Sequence, residues 1–303
     1  KPQSINATTS PSSVGSFNFK ILPAEKKLYK IINFSLNRTA KSSSDAIIDA
    51  QFIGNEKDKL DMVIVCAGGD PFLFNNIKVF DWLRKKSREG VTLVGVSGGP
   101  VILVKSGLMD GKRMTLHWEH ADTFREIWPN ILLEKSLFVI DRKRITCAGG
   151  IAPLDLMFTL ISNHHGESFA RKVSDWFMHT EVRPSGGPQR SGIVERYNVN
   201  NSKIVSAIEI MENNLSNTLS LKEISEIVDI SPRQLNRLFK KNLNKTTMDV
   251  YRKLRLELAQ KLLKQSQFSI TEIAFSCGFS SSSQFSQSFK EKFGVMPSQY
   301  KNL

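Results

Sequence analysis

The sequence predicts an α/β domain followed by an all-α domain in which one helical unit occurs twice. Short apolar runs that end in glycine turns, at 61–70 and 91–99, indicate parallel strands that are buried on both faces. In the last third of the chain, Ser220 and Ser269 open two stretches that match position by position. With 303 residues and 40% hydrophobic side chains, the chain is long enough for two separate cores.

Changes in composition divide the chain into four segments. Residues 1–16 are rich in Ser, Thr, Pro and Asn and are expected to form a disordered lead. Residues 17–190 hold the α/β pattern, and residues 204–303 hold the helical repeat. The stretch between them, 191–203, belongs to a region rich in Pro and Gly and is expected to be a linker.

The first domain is expected to alternate strands with helices. We expect a first strand at 17–22 and a helix at 27–38. An apolar strand at 61–66 ends in a glycine pair, and helical spacing with a basic end follows at 79–88. The strand at 91–96 turns directly into a helix, and this order of strand, tight turn and helix is typical of a parallel α/β sheet.

The turn after 91–96 matches the G-x-S-x-G nucleophile elbow, in Gly95-Val-Ser97-Gly-Gly99. A catalytic serine needs a histidine base and an acidic residue that orients the histidine. His117 and Asp155 lie in the same domain, and further histidines follow in the chain: His164, His165 and His179. A serine hydrolase is therefore one alternative, although only the later histidines meet the hydrolase order of serine, acid and histidine.

The repeat predicts two helix-turn-helix motifs, at about 220–241 and 269–293. Each motif opens with a capping box, in which a serine and the glutamate three residues later cap the helix reciprocally. The second helices also correspond, but the turn before them is one residue longer in the second motif, so that Leu235 corresponds to Phe285. Between the motifs, Thr247–Gln265 is expected to form one helix of about 28 Å. Such a spacer suits two helices that enter successive major grooves, about 34 Å apart.

The second helix of each motif is predicted to carry a polar face that suits base edges and phosphates. Arginine pairs with guanine through two hydrogen bonds, and glutamine or asparagine pairs with adenine in the same way. We therefore predict a DNA-binding surface that includes two basic residues of the spacer helix: Arg233, Gln234, Asn236, Arg237, Lys240, Arg252, Arg255, Ser282, Ser283, Gln284, Gln287 and Lys290. The alternative is that these side chains are only the solvated faces of amphipathic helices.

Composition and charge agree with a nucleic-acid partner. The formal net charge of +13 favours polyanions, because cationic side chains release counterions from phosphate. The three cysteines are too few and too scattered for a disulfide framework or a metal cluster, so we expect neither a metal nor a cofactor. No run approaches the roughly 18 apolar residues of a membrane-spanning helix, and the start lacks a secretory h-region. We therefore expect a cytoplasmic protein that does not contact a membrane.

A distinctive pattern spans most of the second domain, in Ser231–Phe239, Arg255–Ala259, Ile273–Ser280 and the closing Phe289-Lys-Glu-Lys-Phe-Gly-Val-Met-Pro297. In these residues the domain resembles the DNA-binding domain of the AraC/XylS family of transcription regulators. The resemblance implies double-stranded promoter DNA and RNA polymerase as partners.

The first domain carries three further stretches of the same kind, Gly107–Glu119, Thr146–Asp155 and Gly187–Arg190. In these it is similar to the amidase-like sensor domain of one AraC subgroup, which resembles class I glutamine amidotransferases of the PfpI type. The resemblance implies a flavodoxin-like three-layer fold and, in the enzymes, a cysteine in the elbow. Ser97 stands at that position here, and a serine hydroxyl does not supply thiolate chemistry at neutral pH. We therefore expect no catalytic residue and no enzymatic activity.

A pocket without catalysis is expected to survive as a binding site at the C-terminal ends of the strands. The residues expected to line it are Ser97, Gly68, Gly69, Gly98, His117 and Trp118. Backbone N–H groups in this turn suit a carboxylate, and Trp118 offers a face for a quaternary ammonium or guanidinium group. The resembling subgroup controls the catabolism of amino acids and betaines such as arginine, carnitine and glycine betaine. This implies an amine-bearing carboxylate as the small-molecule effector.

The interpretation is a one-component transcription regulator, expected to be an activator and a homodimer. An effector that binds the first domain is expected to change how the second domain contacts the promoter. Two alternatives stay open. In one, the chain is an active amidase or hydrolase that uses Ser97 and is fused to a DNA-binding domain. In the other, it is a ligand-independent DNA-binding regulator whose first domain only dimerises.

Overall fold

A computed structural model describes most of the chain, in residues 6–9, 28–41, 47–56 and 59–302. The chain divides into two compact units, which comprise residues 1–121 with 128–189, and residues 122–127 with 190–303. Among the described residues, every helix is too short or too polar to cross a membrane.

The first unit is built on a mixed β-sheet. The described strands are β1 (Asn6–Thr9), β2 (Ile32–Ser35), β3 (Thr39–Lys41), β4 (Ile47–Asp49), β5 (Gln51–Phe52), β6 (Met62–Ala67), β7 (Thr92–Ser97), β8 (Arg113–Met114), β9 (Leu132–Leu133), β10 (Phe138–Asp141) and β11 (Arg144–Cys147). Within this described part, seven of them form one sheet in the order β10-β11-β7-β6-β1-β2-β5. Its central strands β11, β7 and β6 are parallel, as the continuous apolar runs predicted.

Helices cover both faces of this sheet. The helices in this part of the chain are α1 (Ile77–Arg88), α2 (Gly99–Lys105), α3 (Trp118–Ile127), α4 (Ala152–His165) and α5 (Glu167–Trp176), and residues 122–127 of α3 belong to the second unit. Helix α4 packs through Leu156 and Leu160 on the face that carries Ile64 and Val94. Helix α2 packs on the opposite face, where its backbone meets Val65. The predicted α/β class with three layers is therefore confirmed.

Two predictions near the N-terminus are wrong where the structure describes the residues. Asn6–Thr9 were expected in a disordered lead but form β1, which pairs antiparallel with both β6 and β2 and so covers the edge of β6. Ile32–Ser35 were expected in a helix but form β2, because Phe34 is buried and long-range strand pairing outweighs local helical spacing. The predicted strand at 17–22 and the rest of the lead lie outside the described residues.

The turn from β7 into α2 is too tightly packed for side chains at its glycines. A Cβ on Gly99 would lie 1.9 Å from the carbonyl oxygen of Val65, and one on Gly95 would lie 2.6 Å from the backbone nitrogen of Pro100. Between them, Ser97 has φ of 60°, a left-handed value that residues other than glycine rarely adopt. The close approach of α2 to the sheet therefore holds Ser97 in a strained conformation.

The second unit is helical, as predicted. Its helices in the described residues are α6 (Ile193–Tyr197), α7 (Ser202–Asn213), α8 (Leu221–Ile227), α9 (Pro232–Leu243), α10 (Thr247–Gln265), α11 (Ile270–Ser276), α12 (Ser282–Phe293) and α13 (Pro297–Lys301). Two hydrophobic cores lie side by side, and α10 contributes to both of them. Leu235, Phe239 and Leu254 belong to the first core, whereas Leu258 and Phe285 belong to the second.

The segment expected to be a linker, 191–203, is folded instead. It contains α6 and the start of α7, and both Ile193 and Tyr197 pack against the first core. Pro and Gly residues up to Gly192 suggested a linker because they favour turns, but the apolar residues that follow Gly192 pack against the first core of the second unit.

The crowded elbow yields a stability prediction. Gly99→Ala should lower the free energy of unfolding by about 3 kcal/mol, because the new methyl group must displace the Val65 backbone. Thermal or urea unfolding of the full chain measures the change. Gly186→Ala is the matched control, because a Cβ there meets no atom within 4 Å. Equal stability of the two variants would show that the elbow is not tightly packed.

Candidate nucleic-acid interface and effector site

Both helix-turn-helix motifs begin with the predicted capping box. The side chain of Ser220 accepts a hydrogen bond from the N–H of Glu223, and the Ser220 N–H donates to the Glu223 carboxylate at 2.7 Å. Ser269 and Glu272 repeat the arrangement, also at 2.7 Å. The two first helices, α8 and α11, therefore start from the same local signal.

The turns inside the two motifs also share one backbone conformation. Asp229 has φ of 54° and Gly278 has φ of 71°, so both residues end the first helix in the left-handed region. A Cβ on Gly278 would lie 2.3 Å from Cγ2 of Thr218, whereas Asp229 is exposed. Close packing therefore requires glycine only in the second copy.

The repeat extends further than the sequence predicted. Asn244 follows the end of α9 and Gly294 follows the end of α12, and both of these residues are left-handed. The next helices, α10 and α13, then start at 247 and 297. Helix α13 thus corresponds to the first turns of α10, and the repeated unit contains three helices instead of two.

Helices α9 and α12 each bury one stripe and expose another. Leu235 and Phe239 of α9 are fully buried, as are Phe285 and Phe289 of α12. The opposite faces carry the predicted DNA-contacting side chains that are exposed, namely Arg233, Gln234, Arg237, Lys240, Ser283, Gln284, Gln287 and Lys290. Ser282 is partly exposed at the start of α12.

Three predicted base-reading amides already take part in helix caps or turns. The Oε1 atom of Gln234 accepts from the N–H of its N-cap serine at 3.0 Å. The Oε1 atom of Gln284 accepts from the Ser280 hydroxyl at 3.0 Å. Asn236 is only partly exposed, and its Oδ1 accepts the N–H of Thr247 at 3.0 Å, at the start of α10. These bonds give the amides a structural role that the sequence analysis missed.

Arg255 lies between the two motifs instead of on the predicted DNA-binding surface. Its Nε donates to the carbonyl oxygen of Cys277 at 2.9 Å, and its guanidinium carbon lies 4.2 Å from the ring centroid of Phe279. Burial lowers the pKa of this guanidinium group. We therefore assign Arg255 a structural role in place of the expected DNA contact. Arg252, one turn earlier on α10, is exposed, and its Nη1 atom lies 4.0 Å from Oδ1 of Asp249.

The ligand residues predicted in the first unit lie where parallel strands end. Ala67 and Ser97 are paired in register at the ends of β6 and β7, and the exposed Gly68 and Gly69 follow β6 directly. A Cβ on Gly149, which follows β11, would lie 2.8 Å from the Cβ of Ser97. Three strand ends therefore meet around Ser97, as expected for the ligand site of an open parallel sheet.

The backbone of Gly98 differs from the prediction in one respect. Its N–H donates to the carbonyl oxygen of Ala67 at 3.0 Å, so this group is already used within the protein and does not face a ligand carboxylate. A Cβ on Gly98 would lie 2.9 Å from the Cβ of Pro71. Gly98 therefore serves close packing between the two loops that follow β6 and β7.

His117 and Trp118 lie at the start of α3 and contact each other, with ring centroids 5.3 Å apart. The Nδ1 atom of His117 accepts from the N–H of Glu119 at 3.3 Å. The His117 ring lies 6.1 Å from that of His120, which contacts Phe72 edge to face at 5.7 Å. A row of rings thus leads from His117 to the loop that follows β6.

Asp70, which follows the glycine pair after β6, was not among the predicted site residues. Its carboxylate accepts from the N–H of Phe72 at 2.9 Å. Burial raises the pKa of this carboxyl group, although that hydrogen bond and the charge of Lys105 act in the opposite direction. Lys105 donates to the carbonyl oxygen of Phe72 at 2.7 Å. An acidic residue directly after the glycine turn of a buried strand was the signal in the sequence.

Asp155, an acid considered for a serine hydrolase, belongs to a buried structural network. It is fully buried, and its Oδ2 accepts from Nη2 and Nε of Arg183 at 2.6 and 3.0 Å. The Nε2 atom of His179 lies 3.3 Å from Oδ1 of Asp155, and the Nδ1 atom of the same histidine lies 3.2 Å from the hydroxyl of Ser174. Because Ser174 is also buried and donates to the His179 carbonyl, this serine, histidine and aspartate fix the segment after α5.

The remaining candidates for catalysis or metal binding are also accounted for. His164 and His165 both contact the hydroxyl of Tyr29, at 3.2 and 2.7 Å. Burial raises the pKa of the Cys66 and Cys147 thiols to about 11, whereas a nucleophilic thiol needs a lowered pKa. Neither cysteine replaces the one that the elbow lacks. In the described part of the chain, no group of three or more His, Cys, Asp or Glu side chains is arranged to hold a metal.

Comparisons with known proteins agree with the two-unit organisation. Residues 224–302 match the helix-turn-helix domain model, and residues 21–163 match the DJ-1/PfpI family model. The chain is 37% identical to the HTH-type transcriptional regulator GlxA of Rhizobium meliloti, over 91% of this chain and 86% of that protein. It is 42% identical to the regulator CdhR of Pseudomonas aeruginosa, over 80% of this chain and 72% of that protein. The regulator GbdR of Pseudomonas aeruginosa is 34% identical, over 90% and 74% respectively.

The contacts of Arg255 predict that its geometry matters more than its charge. Arg255→Lys should destabilise the second unit by about 1–2 kcal/mol, because lysine keeps the cation but loses the hydrogen bond from Nε and the planar contact with Phe279. Urea unfolding measures the loss. Arg252→Lys, on the exposed side of the same helix, is the control and should be near neutral. A stable Arg255→Lys variant would return Arg255 to the group of DNA contacts.

Proposed function

The chain belongs to the family of HTH-type transcriptional regulators that join a DJ-1/PfpI domain to an AraC-type DNA-binding domain, and we propose that it reads promoter DNA by inserting α9 and α12 into neighbouring major grooves. Like its relatives, which are named as transcriptional regulators, it is a DNA-binding regulator and not an enzyme. We propose residues 17–190 as the sensor and 204–303 as the DNA-binding domain.

One observation supports the DNA-binding geometry most strongly. The two motifs repeat their caps, turns and buried stripes, yet the repeated helices α9 and α12 each leave a polar face exposed. Packing explains the buried stripes, whereas a partner with two equivalent surfaces would explain why polar side chains are exposed at equivalent positions of both helices. A duplex with two successive major grooves accounts for both faces. The DNA contacts that we propose are therefore Arg233, Arg237, Lys240, Arg252, Ser282, Ser283, Gln284, Gln287 and Lys290, with Gln234 and Asn236 contributing their amide nitrogens.

We further propose that a small amine-bearing carboxylate, such as an amino acid or a betaine, binds at the strand ends around Ser97. The exposed turn at Gly68 and Gly69 gives the ligand backbone access. Asp70 is the proposed partner for the ammonium group, because a cation in the site would offset the burial that raises the pKa of this carboxyl. Ser97 is the proposed partner for the carboxylate, together with Lys105, whose charge acts on Asp70. His117 and Trp118 form the proposed outer wall.

Regulation follows from coupling between this site and the DNA-binding unit. We propose that effector binding makes the protein an activator, which works as a homodimer and contacts RNA polymerase at the promoter. A regulator of this kind acts in the cytoplasm, where the chromosome is. Coupling of this type requires that the effector bind more tightly to the form that is competent to bind the promoter.

The DNA-binding proposal predicts a loss on substitution of Arg237. Arg237→Ala should weaken binding to the promoter duplex by about 1–3 kcal/mol; a loss confined to that duplex indicates a base contact, and an equal loss on random DNA indicates a phosphate contact. Fluorescence anisotropy with a promoter duplex and a random duplex of equal length measures both affinities. Lys172→Ala, which removes an exposed cation of α5, is the control. Unchanged affinity of Arg237→Ala for both duplexes would contradict the proposal.

The effector proposal predicts distinct effects for two substitutions. Ser97→Gly should weaken effector binding about tenfold by removing one hydrogen bond, without loss of stability, because glycine accepts the φ of 60°. Asp70→Asn should weaken the binding of amines but not that of simple carboxylates. Calorimetry against a panel of amino acids, betaines and simple carboxylates measures these affinities. If neither substitution changes any affinity, or if the wild type hydrolyses amides or esters and Ser97→Gly does not, the proposed sensor role is wrong.

A further inference from the structure

The exposed faces of α9 and α12 occupy equivalent positions in the repeat but differ in chemistry. Both helices contain 12 residues, and their N-terminal ends, Pro232 and Ser282, correspond. In the same alignment, Gln234 and Lys240 correspond to Gln284 and Lys290, whereas three other outward positions differ: Arg233 corresponds to Ser283, Arg237 to Gln287 and Lys241 to Glu291. The buried positions, by contrast, are apolar in both helices.

The difference in exposed charge is large. Helix α9 exposes four cations and contains no acid, and the four are Arg233, Arg237, Lys240 and Lys241. Helix α12 exposes one cation, Lys290, next to the exposed Glu291. Its second lysine, Lys292, turns towards α10, where Nζ donates to the carbonyl oxygen of Lys253 at 3.0 Å and lies 3.1 Å from Glu257. The outward face of α12 is therefore close to neutral.

The neutral groups of α12 are nevertheless hydrogen-bonding groups. Ser283, Gln284 and Gln287 are all exposed on this face. The Nε2 atom of Gln287 donates to the Glu291 carboxylate at 3.1 Å, which holds the amide in an ordered position along the helix. Amides and hydroxyls recognise base edges in the major groove without displacing counterions from phosphate.

We propose that the two motifs divide the work on DNA: α9 supplies most of the electrostatic anchoring, and α12 supplies sequence discrimination that depends little on salt. This inference rests on the proposed function, because it assumes that both helices reach the duplex. Each phosphate that a cation neutralises adds about 0.9 to the slope of log affinity against log salt, whereas a neutral contact adds nothing. The motifs are therefore alike in structure but unequal in the forces that they use.

Substitutions at equivalent positions of the two motifs provide the test. The first variant, Arg233→Ser with Arg237→Gln, gives α9 the residues of α12. The second, Ser283→Ala with Gln287→Ala, removes the neutral hydrogen-bonding groups of α12. A third, Lys290→Ala, removes the cation that both helices share and reports whether α12 lies near DNA. All these positions are exposed, and circular dichroism verifies that each variant folds.

The measurement is anisotropy of the full chain at several KCl concentrations, with a duplex selected from a random pool and a random duplex of equal length. The α9 variant should lower the salt slope by up to about 1.8 units, which reduces the affinity lost between 50 and 200 mM salt by up to about twelvefold. The α12 double variant should weaken binding to the selected duplex about tenfold or more and leave the slope unchanged. Lys290→Ala should lower the slope by about 0.9.

The outcomes separate this inference from the proposed function. If the wild type does not prefer the selected duplex, or if Lys290→Ala has no effect on either duplex, the insertion of both helices into DNA is wrong. If the wild type is selective but the α12 double variant lowers the salt slope as much as the α9 variant does, the division of work is wrong. An unchanged slope in the α9 variant would also overturn it.

Discussion

The geometry of the DNA-binding unit depends on one helix, α10, which belongs to two hydrophobic cores at once. Leu254 is buried in the first core and Leu258 in the second. Between them, Arg255 binds the carbonyl oxygen of Cys277 and covers Phe279, so that the turn of the second motif is fixed to the middle of the helix. Because a helix is stiff and rises about 1.5 Å per residue, α10 sets the distance between the motifs. The polar faces of α9 and α12 are useful together only while that distance is kept.

The sequence could predict the parts of this unit that depend on local interactions. The caps at Ser220 and Ser269 and the bounds of α10 were correct, because each signal acts within a few residues. The roles of Asn236 and Arg255 could not be predicted in the same way. Helical spacing shows that a side chain points away from its own core, but whether it then meets solvent or another helix depends on the packing of distant segments.

The same limit explains the differences in the first unit. The central strands were predictable because a strand buried on both faces is apolar throughout, as in Met62–Ala67. Strand β1, by contrast, consists of Asn6–Thr9 and contains no apolar signal beyond one alanine. Its place between β6 and β2 depends on backbone pairing with residues far along the chain, and pairing of that kind leaves little trace in a short polar sequence. Asp70 was missed for a related reason. The partial burial that raises the pKa of its carboxyl group depends on how distant segments pack.

The strained elbow persists in this chain without the chemistry that it supports in enzymes, and packing explains why. Helix α2 starts so close to the sheet that a Cβ on Gly99 would lie 1.9 Å from the carbonyl oxygen of Val65. This approach keeps the backbone of Ser97 left-handed, independently of any catalytic role of its hydroxyl. The elbow is therefore evidence for the fold and not for catalysis. Close to the glycine turn after β6, Asp70 and Lys105 are a half-buried anion and cation that interact with each other, and this pair is the basis of the proposal that the ligand carries both charges.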